Sequence, residues 1–317
     1  MRLVWLFTAL LCFLSNIGFV LNQTPTPVAN VTLNNPITTV AGIYSQTTFS
    51  GDNGPATSAS FTSLQGCTID YIRNILYVCD DHRIRAINMN TNTITTLLGS
   101  TIGYAGDGGQ LSNARLNATV GLAINPYLNL LYIADTGNHV IRVVDIGAGR
   151  IDLLAGTPHT RGYGGDGGSA STALLNAPSS LQLDVANNIL YVSDYNNYVI
   201  RKIQINSRNI SLLAGIPTVS GYNNDSGPAT NITIKSINQL GFDMINNQLY
   251  FVDGSSYLLR KVDLNTNIVY RVGGNAGQAG DGNDGGPALS SYFRGPIGVA
   301  VFPQYSSVYH ICWYQIQ

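Results

Sequence analysis

The chain has 317 residues, which is enough for one large domain or two small ones. Charged residues make up only 10% of it, against roughly 25% in ordinary soluble domains, and the net charge at pH 7 is −1. Because the sequence contains no basic block, the electrostatic footprint of a nucleic-acid-binding protein is excluded.

The residue types favour short strands joined by tight turns. All 17 acidic residues are Asp and Lys occurs at only three positions, so the helix formers Glu and Lys are almost missing. Gly (34 residues) and Tyr (18 residues) are abundant, together with Asn, Ser, Thr, Ile and Val. Since these types fit strands and turns, the composition predicts an all-β fold.

The N-terminal segment has the pattern of a targeting sequence. Arg2 precedes an apolar run from Leu3 to Leu14, which predicts a secretory signal peptide over residues 1–23, with an uncleaved single-pass membrane anchor as the alternative. Residues 24–36 are then a linker. We expect a secreted protein or one on the luminal side, with membrane contact only if the leader stays attached. Export makes five Asn-x-Ser/Thr positions candidate N-glycosylation sites: Asn30, Asn117, Asn209, Asn224 and Asn231.

From residue 37 onwards the chain repeats one unit of 57 to 59 residues. Each copy opens with a short apolar strand, as in Ile94–Gly99, followed by a glycine-rich loop that carries an Asp. Two β-runs come next, the second ending in Asp, and then a polar turn and a strand that holds an Arg. The copies begin at Ile37, Ile94, Ile151, Ile210 and Ile268. The loop aspartates are Asp52, Asp107, Asp166, Asp225 and Asp284.

Four short strands per unit predict a four-stranded antiparallel blade, repeated around an axis as a β-propeller over residues 37–317. One such unit cannot bury both of its faces, so neighbouring blades must stack. Leucine-rich repeats are shorter, at about 20–29 residues, and helical repeats need the helix formers that this chain lacks.

Two segments carry a family resemblance. Leu131–Arg142 (LYIADTGNHVIR) and Leu190–Lys202 (LYVSDYNNYVIRK) resemble NHL repeats. The long Gly-Asp-Gly-Gly loops are similar to those of the NHL subset that includes the teneurin NHL domain and exported microbial proteins. The resemblance implies NHL-type propeller blades, and it implies a rigid platform whose loops bind partners. Fold alone does not decide function.

The fifth unit departs from the pattern. After Gly298–Phe302 and Ser307–Tyr309, the expected Asp, polar turn and Arg strand do not follow. The sequence therefore predicts four full blades plus a partial fifth. We hypothesise a truncated or frameshifted version of a longer propeller, and the rival is a small five-bladed ring that is incompletely closed.

Two polar positions recur once per unit and are predicted to be structural. A strand-end Asp can accept hydrogen bonds from the backbone of the following turn, and an Arg in the next strand can donate to a carboxylate or to carbonyl groups of a neighbouring blade. A catalytic residue should break the repeat and not follow it. The aspartates are Asp80, Asp135, Asp194 and Asp253, and the arginines are Arg85, Arg142, Arg201 and Arg260.

No residue stands out as catalytic, cofactor-binding or metal-binding, and we expect no cofactor. The loop aspartates resemble calcium ligands, and Asp281 with Asp284 is the densest pair, but each loop offers only one or two carboxylates. Glycine flexibility explains these loops without a metal. A zinc site needs several converging ligands, whereas the four histidines stand in unrelated contexts. They are His82, His139, His159 and His310.

Cys67 and Cys79 flank a predicted hairpin whose turn lies near Arg73, which would bring them almost opposite each other. In an exported protein this arrangement predicts a disulfide. The alternatives are two separate buried thiols, or pairing of one of them with Cys312.

Three functions remain open. The leading hypothesis is an exported non-enzymatic interaction module that binds an unknown protein or glycan through the glycine-rich loops on one face. The second is a metal-dependent lyase or hydrolase with its site at the propeller axis, since the family includes a peptide-amidating lyase. The third is a truncated or divergent fragment without independent function, because an incomplete ring leaves sheet edges exposed.

Overall fold

The computed structural model describes residues 38–283, 285–302 and 307–309. The predicted signal peptide (1–23), the linker (24–36) and four candidate residues lie outside the described residues. Those four are Asn30, Asp284, His310 and Cys312.

The described residues form antiparallel sheets that follow one another along the chain. The first sheet contains β1 (Leu64–Asp70), β2 (Ile75–Asp80), β3 (Arg83–Asn88) and β4 (Thr93–Leu98). The second contains β5 (Gly109–Gln110), β6 (Leu122–Asn125), β7 (Leu130–Asp135), β8 (Val140–Asp145) and β9 (Arg150–Ala155).

The third sheet contains β10 (Pro178–Asp184), β11 (Ile189–Asp194), β12 (Val199–Gln204) and β13 (Asn209–Ala214). The fourth contains β14 (Ser226–Pro228), β15 (Ile237–Asp243), β16 (Gln248–Asp253), β17 (Leu258–Asp263) and β18 (Ile268–Gly273). β19 (Ala300–Phe302) and β20 (Ser307–Tyr309) pair as two strands of a fifth sheet.

Helical structure in the described part of the chain is limited to three-residue 3₁₀ turns, and no helix there has the length and apolar character needed to cross a membrane. The turns are Ala56–Ser58, Leu111–Asn113, Thr136–Asn138, Ala170–Thr172, Tyr195–Asn197, Ala229–Asn231, Gly254–Ser256 and Ala288–Ser290.

The strand that opens each sequence repeat serves as the outermost main strand of the preceding sheet. β4, β9, β13 and β18 all hold this position, each hydrogen-bonded to the strand that carries the Arg. The first repeat is an exception, because residues 38–41 do not form the strand expected at Ile37–Ala41. Val40 and Ala41 pack against the first sheet instead, and no described strand lies beside them to complete a ladder.

Alternation along the second strand of each sheet builds the core. In β7, Leu131 and Ile133 pack against the first sheet, whereas Tyr132 and Ala134 point the other way and pack against the third. Since side chains alternate across a strand, one short apolar run serves two cores. Each fully buried aliphatic side chain contributes about 1.5–3 kcal/mol relative to exposure, so blade stacking dominates the stability.

The first main strand of every sheet contributes residues to one cavity, which marks a common axis. The predicted all-β propeller, with four full blades of four main strands and part of a fifth blade, is therefore confirmed for the described residues, and the second and fourth blades each carry one additional short strand. Gly121, next to β6, comes so close to the third sheet that a Cβ added to it would overlap the carbonyl oxygen of Ser179.

We predict that Gly121→Ala lowers the free energy of unfolding by about 3 kcal/mol, because the added methyl group forces two blades apart. Guanidinium unfolding of the purified chain measures the change. Gly147→Ala is the matched control, since the nearest atom to its Cβ would be Asp145 Oδ1 at 3.4 Å. Equal stability of both variants would contradict close blade contact at Gly121.

Candidate functional site

Each complete blade has a buried arginine, which pairs with two carboxylates in the first three blades and with one in the fourth. In the second blade, Arg142 Nη2 lies 2.6 Å from Asp107 Oδ1 and Arg142 Nη1 lies 3.6 Å from Asp135 Oδ2. The side chains of Arg142 and Asp135 are fully buried, and Asp107 is half-buried. Arg142 Nη2 also donates to the carbonyl oxygen of Ala105 at 3.1 Å. The third strand is thereby tied to the glycine-rich loop of the same blade.

The first and third blades repeat this arrangement. Arg85 pairs with Asp52 (2.9 Å) and Asp80 (3.5 Å), and Arg201 pairs with Asp166 (2.8 Å) and Asp194 (3.5 Å).

The fourth blade differs in its loop carboxylate. Arg260 keeps Asp253 at 3.5 Å and donates to the carbonyl oxygens of Thr233 and Asn224, both at 3.0 Å. Asp225 turns away and pairs with Arg271 Nε at 2.9 Å. Burial lowers the pKa of Arg260, against the raising effects of Asp253 and Asp225.

An aromatic ring stacks on each buried guanidinium, a partner that the sequence analysis did not identify. Arg142 lies 4.5 Å from the ring centroid of Tyr104, and the Tyr104 hydroxyl donates to Asp107. Tyr163 and Tyr222 repeat these contacts, and Phe49 stacks on Arg85. The signal was present in the sequence, because Tyr recurs three residues before the loop Asp.

The strand-end aspartates accept hydrogen bonds from a different segment than expected. Asp135 Oδ1 accepts from the backbone N–H of Asn117, which lies in the loop before β6 and not in the turn after β7. From that following turn, the side chain of Asn138 donates to both carboxylate oxygens at 2.9 Å. The equivalent backbone bonds in the other blades also come from the preceding loop.

Burial has the largest effect on the pKa values of three of the strand-end aspartates. Removal from water raises the pKa of Asp135 to about 6, against the lowering effects of Asn138, Asn117 and Arg142. The same cause raises the pKa of Asp194 to about 6 and raises that of Asp253.

The remaining polar candidates do not converge. His82 Nδ1 lies 2.7 Å from Asp81, while His139 Nδ1 accepts from the backbone N–H of Ala177 at 3.1 Å, and burial lowers the pKa of His139. His159 packs edge-on against Tyr104. In the described residues no three His, Cys, Asp or Glu side chains gather as metal ligands would.

The expected disulfide between Cys67 and Cys79 is not supported by the strand register. The turn sets Asp70 opposite Ile75, and the regular pairing that follows places Cys67 opposite Val78, one residue away from Cys79. Cys67 consequently packs on one face of the first sheet and Cys79 on the other. A shift of one residue reverses the face, and the two side chains point apart.

The described glycosylation candidates differ in exposure. Asn209, Asn224 and Asn231 are exposed, whereas Asn117 is half-buried and the Thr119 of its motif is fully buried. Thr119 Oγ1 donates to the carbonyl oxygen of Asp81, so this motif is part of the blade contact.

Apolar side chains ring one end of the axis, at the hairpin turns between the first and second main strands of the blades. We call these residues the hairpin ring: Tyr71, Ile72, Tyr127, Leu128, Val185, Ala186, Met244 and Ile245. Most are well exposed, from 44% for Tyr71 to 66% for Tyr127 and Met244, while Val185 is half-buried.

Short polar side chains hold these turns. In the first, Asp70 Oδ1 accepts from the backbone N–H groups of Ile72 and Arg73, both at 3.0 Å, and Asn74 closes the turn with φ at 55°. Asn125, Asp184 and Asp243 accept turn N–H groups in the same way. Because an Asx turn satisfies the backbone locally, the tip side chains are left to face solvent.

A cavity of about 220 Å³ lies on the axis beneath the hairpin ring. Its wall is built from the first main strands of all five sheets, and none of the described residues that line it is charged. Tyr71 and Tyr127 stand at this end, with their hydroxyls 2.8 Å apart and their rings edge-to-face at 6.3 Å. Burial and this hydrogen bond raise the pKa of Tyr71 to about 12.

We predict that Arg142→Gln lowers the free energy of unfolding by about 3–5 kcal/mol, because it leaves two carboxylates without their buried cation. Arg208→Gln, at an exposed turn position, is the control and should change it by less than about 0.5 kcal/mol. Guanidinium unfolding at pH 7 measures both. A small effect at Arg142 would contradict a structural role for this centre.

The raised pKa of Asp135 predicts a specific pH dependence. The carboxyl group of Asp135 holds its proton more tightly in the folded state than in the unfolded state. The stabilisation that this proton provides is therefore complete below pH 3.8 and is lost as pH rises through about 6. The unfolding free energy of the natural chain minus that of Asp135→Asn should therefore fall between pH 4 and pH 7, by up to about 3 kcal/mol. Asp194→Asn should show the same fall, and a constant or rising difference contradicts the prediction.

Comparisons with known proteins find several similar sequences, although no family model matches the chain. The chloroplastic protein SUPPRESSOR OF QUENCHING 1 of Arabidopsis thaliana is 28% identical over 218 residues, which are 68% of this chain and 20% of that protein. Mouse teneurin-4 is 32% identical over 188 residues (56% and 7%). Human NHL repeat-containing protein 2 is 29% identical over 146 residues (44% and 20%). The chain thus spans a fifth or less of each relative.

Solved structures show the same fold at low identity. A chain of a nidogen–laminin complex matches with a TM-score of 0.53 and 14% identity, over 79% of this chain and 72% of that one. An auxiliary nutrient binding protein of Bacteroides ovatus matches with a TM-score of 0.50 and 13% identity, over 85% and 72%. With relatives named for NHL repeats, the predicted resemblance to the NHL-repeat β-propeller family is confirmed.

Proposed function

We propose that this chain is an exported, non-enzymatic propeller that binds a protein or glycan partner through the face that carries the hairpin ring. The observation behind the proposal is the ring itself, with two apolar residues at each of four successive turns around one axis. Exposed apolar patches of more than a few hundred Å² are uncommon on soluble monomers and mark interaction sites.

The surroundings of the ring suit an interface. The turns between the third and fourth main strands lie at the same end of the blades, farther from the axis, and expose polar residues, most of them uncharged. An apolar centre with a polar rim is typical of protein interfaces. The exposed polar residues include Asn90, Thr91, Asn92, Asn206, Ser207, Asn265, Thr266 and Asn267.

The placement of the charged groups supports a non-enzymatic role. The buried aspartates and arginines recur in every complete blade and pair with each other, which binds the loops to the sheets. The glycine-rich loops, which the sequence suggested as the contact surface, are less suited to that role than the hairpin ring. In the first four loops the aspartates are engaged by arginine. In the second and fourth loops the exposed large apolar residues, Ile102 and Val219, stand singly, whereas the first loop exposes Ile43 and Tyr44 together.

Two solved structures of similar fold are named for a complex or for ligand binding. One similar fold comes from a nidogen–laminin complex and another from an auxiliary nutrient binding protein. We propose that the partner of this chain is extracellular.

The proposal is tested by capture with matched surface variants. The natural chain, the ring variant Tyr127→Ser/Met244→Ser and the loop variant Ile102→Ser/Val219→Ser are immobilised at equal density and exposed to the secreted and cell-surface fraction of the organism that encodes the chain. We expect partners, identified by mass spectrometry, that the natural chain and the loop variant retain and the ring variant retains at least tenfold less.

Circular dichroism of all three proteins controls for folding. Partners retained equally by the ring variant, or lost only from the loop variant, would contradict binding through the hairpin ring. Retention of nothing by the natural chain would contradict the interaction function as a whole.

A further inference from the structure

We propose that the axial cavity is a binding site for an uncharged, mainly hydrocarbon small molecule of about two fused rings, or the equivalent end of a larger one. This rests on the proposed function in one respect, namely that the face carrying the hairpin ring is the binding face.

The chemistry of the wall selects an uncharged ligand. Every sheet contributes residues to it, among them Ile69, Ile124, Leu183, Phe242 and Val301, and the described lining residues carry no charge. A charged group entering this space would lose its hydration without gaining a partner, at a cost of several kcal/mol.

The amides of the wall are already engaged in joining blades. Gln182 Nε2 donates to the carbonyl oxygen of Leu240 at 3.1 Å, and Gln239 Oε1 accepts from the backbone N–H of Val299 at 3.1 Å. These bonds link the third blade to the fourth and the fourth to the fifth. Each bond uses one atom of the amide group. Most of the other described lining residues are apolar, so contact with apolar residues is the main side-chain interaction available to a ligand.

The volume limits the size of the ligand. An apolar protein cavity of about 150 Å³ is known to hold benzene, so about 220 Å³ has room for a bicyclic ring system. Drug-sized ligands occupy about 300–1,000 Å³, so a larger molecule would place only one end inside.

The entrance explains how such a ligand would be held. Tyr71, Tyr127, Val185 and Met244 belong both to the cavity lining and to the hairpin ring, so the wall continues into the exposed apolar rim. The hydrogen bond and edge-to-face contact between Tyr71 and Tyr127 fix the orientation of two of these side chains. A ligand that extends beyond the cavity would meet aromatic and thioether surface.

Neighbouring positions allow a matched test. Val185 lines the cavity and is half-buried, whereas Ala186, the next residue in the same turn, is exposed and does not line it. Val185→Trp should therefore cover the entrance, while Ala186→Trp adds the same side chain to solvent. Thr68→Leu fills the cavity from within and provides a second blocking variant.

The probe is N-phenyl-1-naphthylamine, a neutral molecule whose fluorescence rises in apolar surroundings. The natural chain and Ala186→Trp should each bind one molecule per chain, and Val185→Trp and Thr68→Leu should bind it at least tenfold more weakly. Naphthalene should displace the probe, and glucose at the same concentration should not. Unfolding curves establish that each variant is folded.

Several results would overturn the assignment. They are the absence of saturable binding to the natural chain, equal affinity in Val185→Trp, more than one probe per chain, and displacement by glucose. Because the probe needs no natural partner, its failure to bind rejects the cavity site alone, whereas failure of the capture experiment rejects the proposed interaction function.

Discussion

The constraint behind the whole structure is that every four-stranded sheet has two apolar faces and can cover neither of them by itself. The alternating run in the second strand, such as Leu131 and Ile133 against Tyr132 and Ala134, sends side chains into both neighbouring cores. A blade is therefore stable only between other blades. Radial stacking follows, with the first main strands at the centre and their inner edges facing the axis.

Radial stacking of the blades explains why each complete blade contains a buried arginine paired with aspartate. A loop joins the outer strand of one blade to the inner strand of the next, and its glycines supply no apolar anchor. The buried arginine anchors the loop through charge and hydrogen bonding instead. Arg142 binds Asp107 and the backbone of Ala105 in the loop, while Asp135 pairs with the other end of its guanidinium group. The buried charged side chains of the complete blades therefore have an architectural role.

The same geometry leaves one region of the molecule uncovered. Five strands that meet around an axis do not fill it completely, because many of their side chains pack into the cores between neighbouring blades. The uncharged cavity and the hairpin ring above it are the result. Asx turns hold the ring rigidly, so a ligand or partner would meet a surface that is already ordered, which lowers the entropic cost of binding.

The sequence by itself determined the features that depend on neighbours along the chain. The repeat of 57 to 59 residues, the Leu-Tyr-x-x-Asp runs and the turns between them predicted the strands, the blade and the stacking. Tertiary structure alone decided what depends on register and on packing across strands. A one-residue difference in register placed Cys67 and Cys79 on opposite faces of their sheet. Residues 38–41 lacked a strand to pair with. Asp107 and Asp135, from different segments, converged on one arginine. The cavity belongs to no repeat, because it exists only where the five inner strands come together.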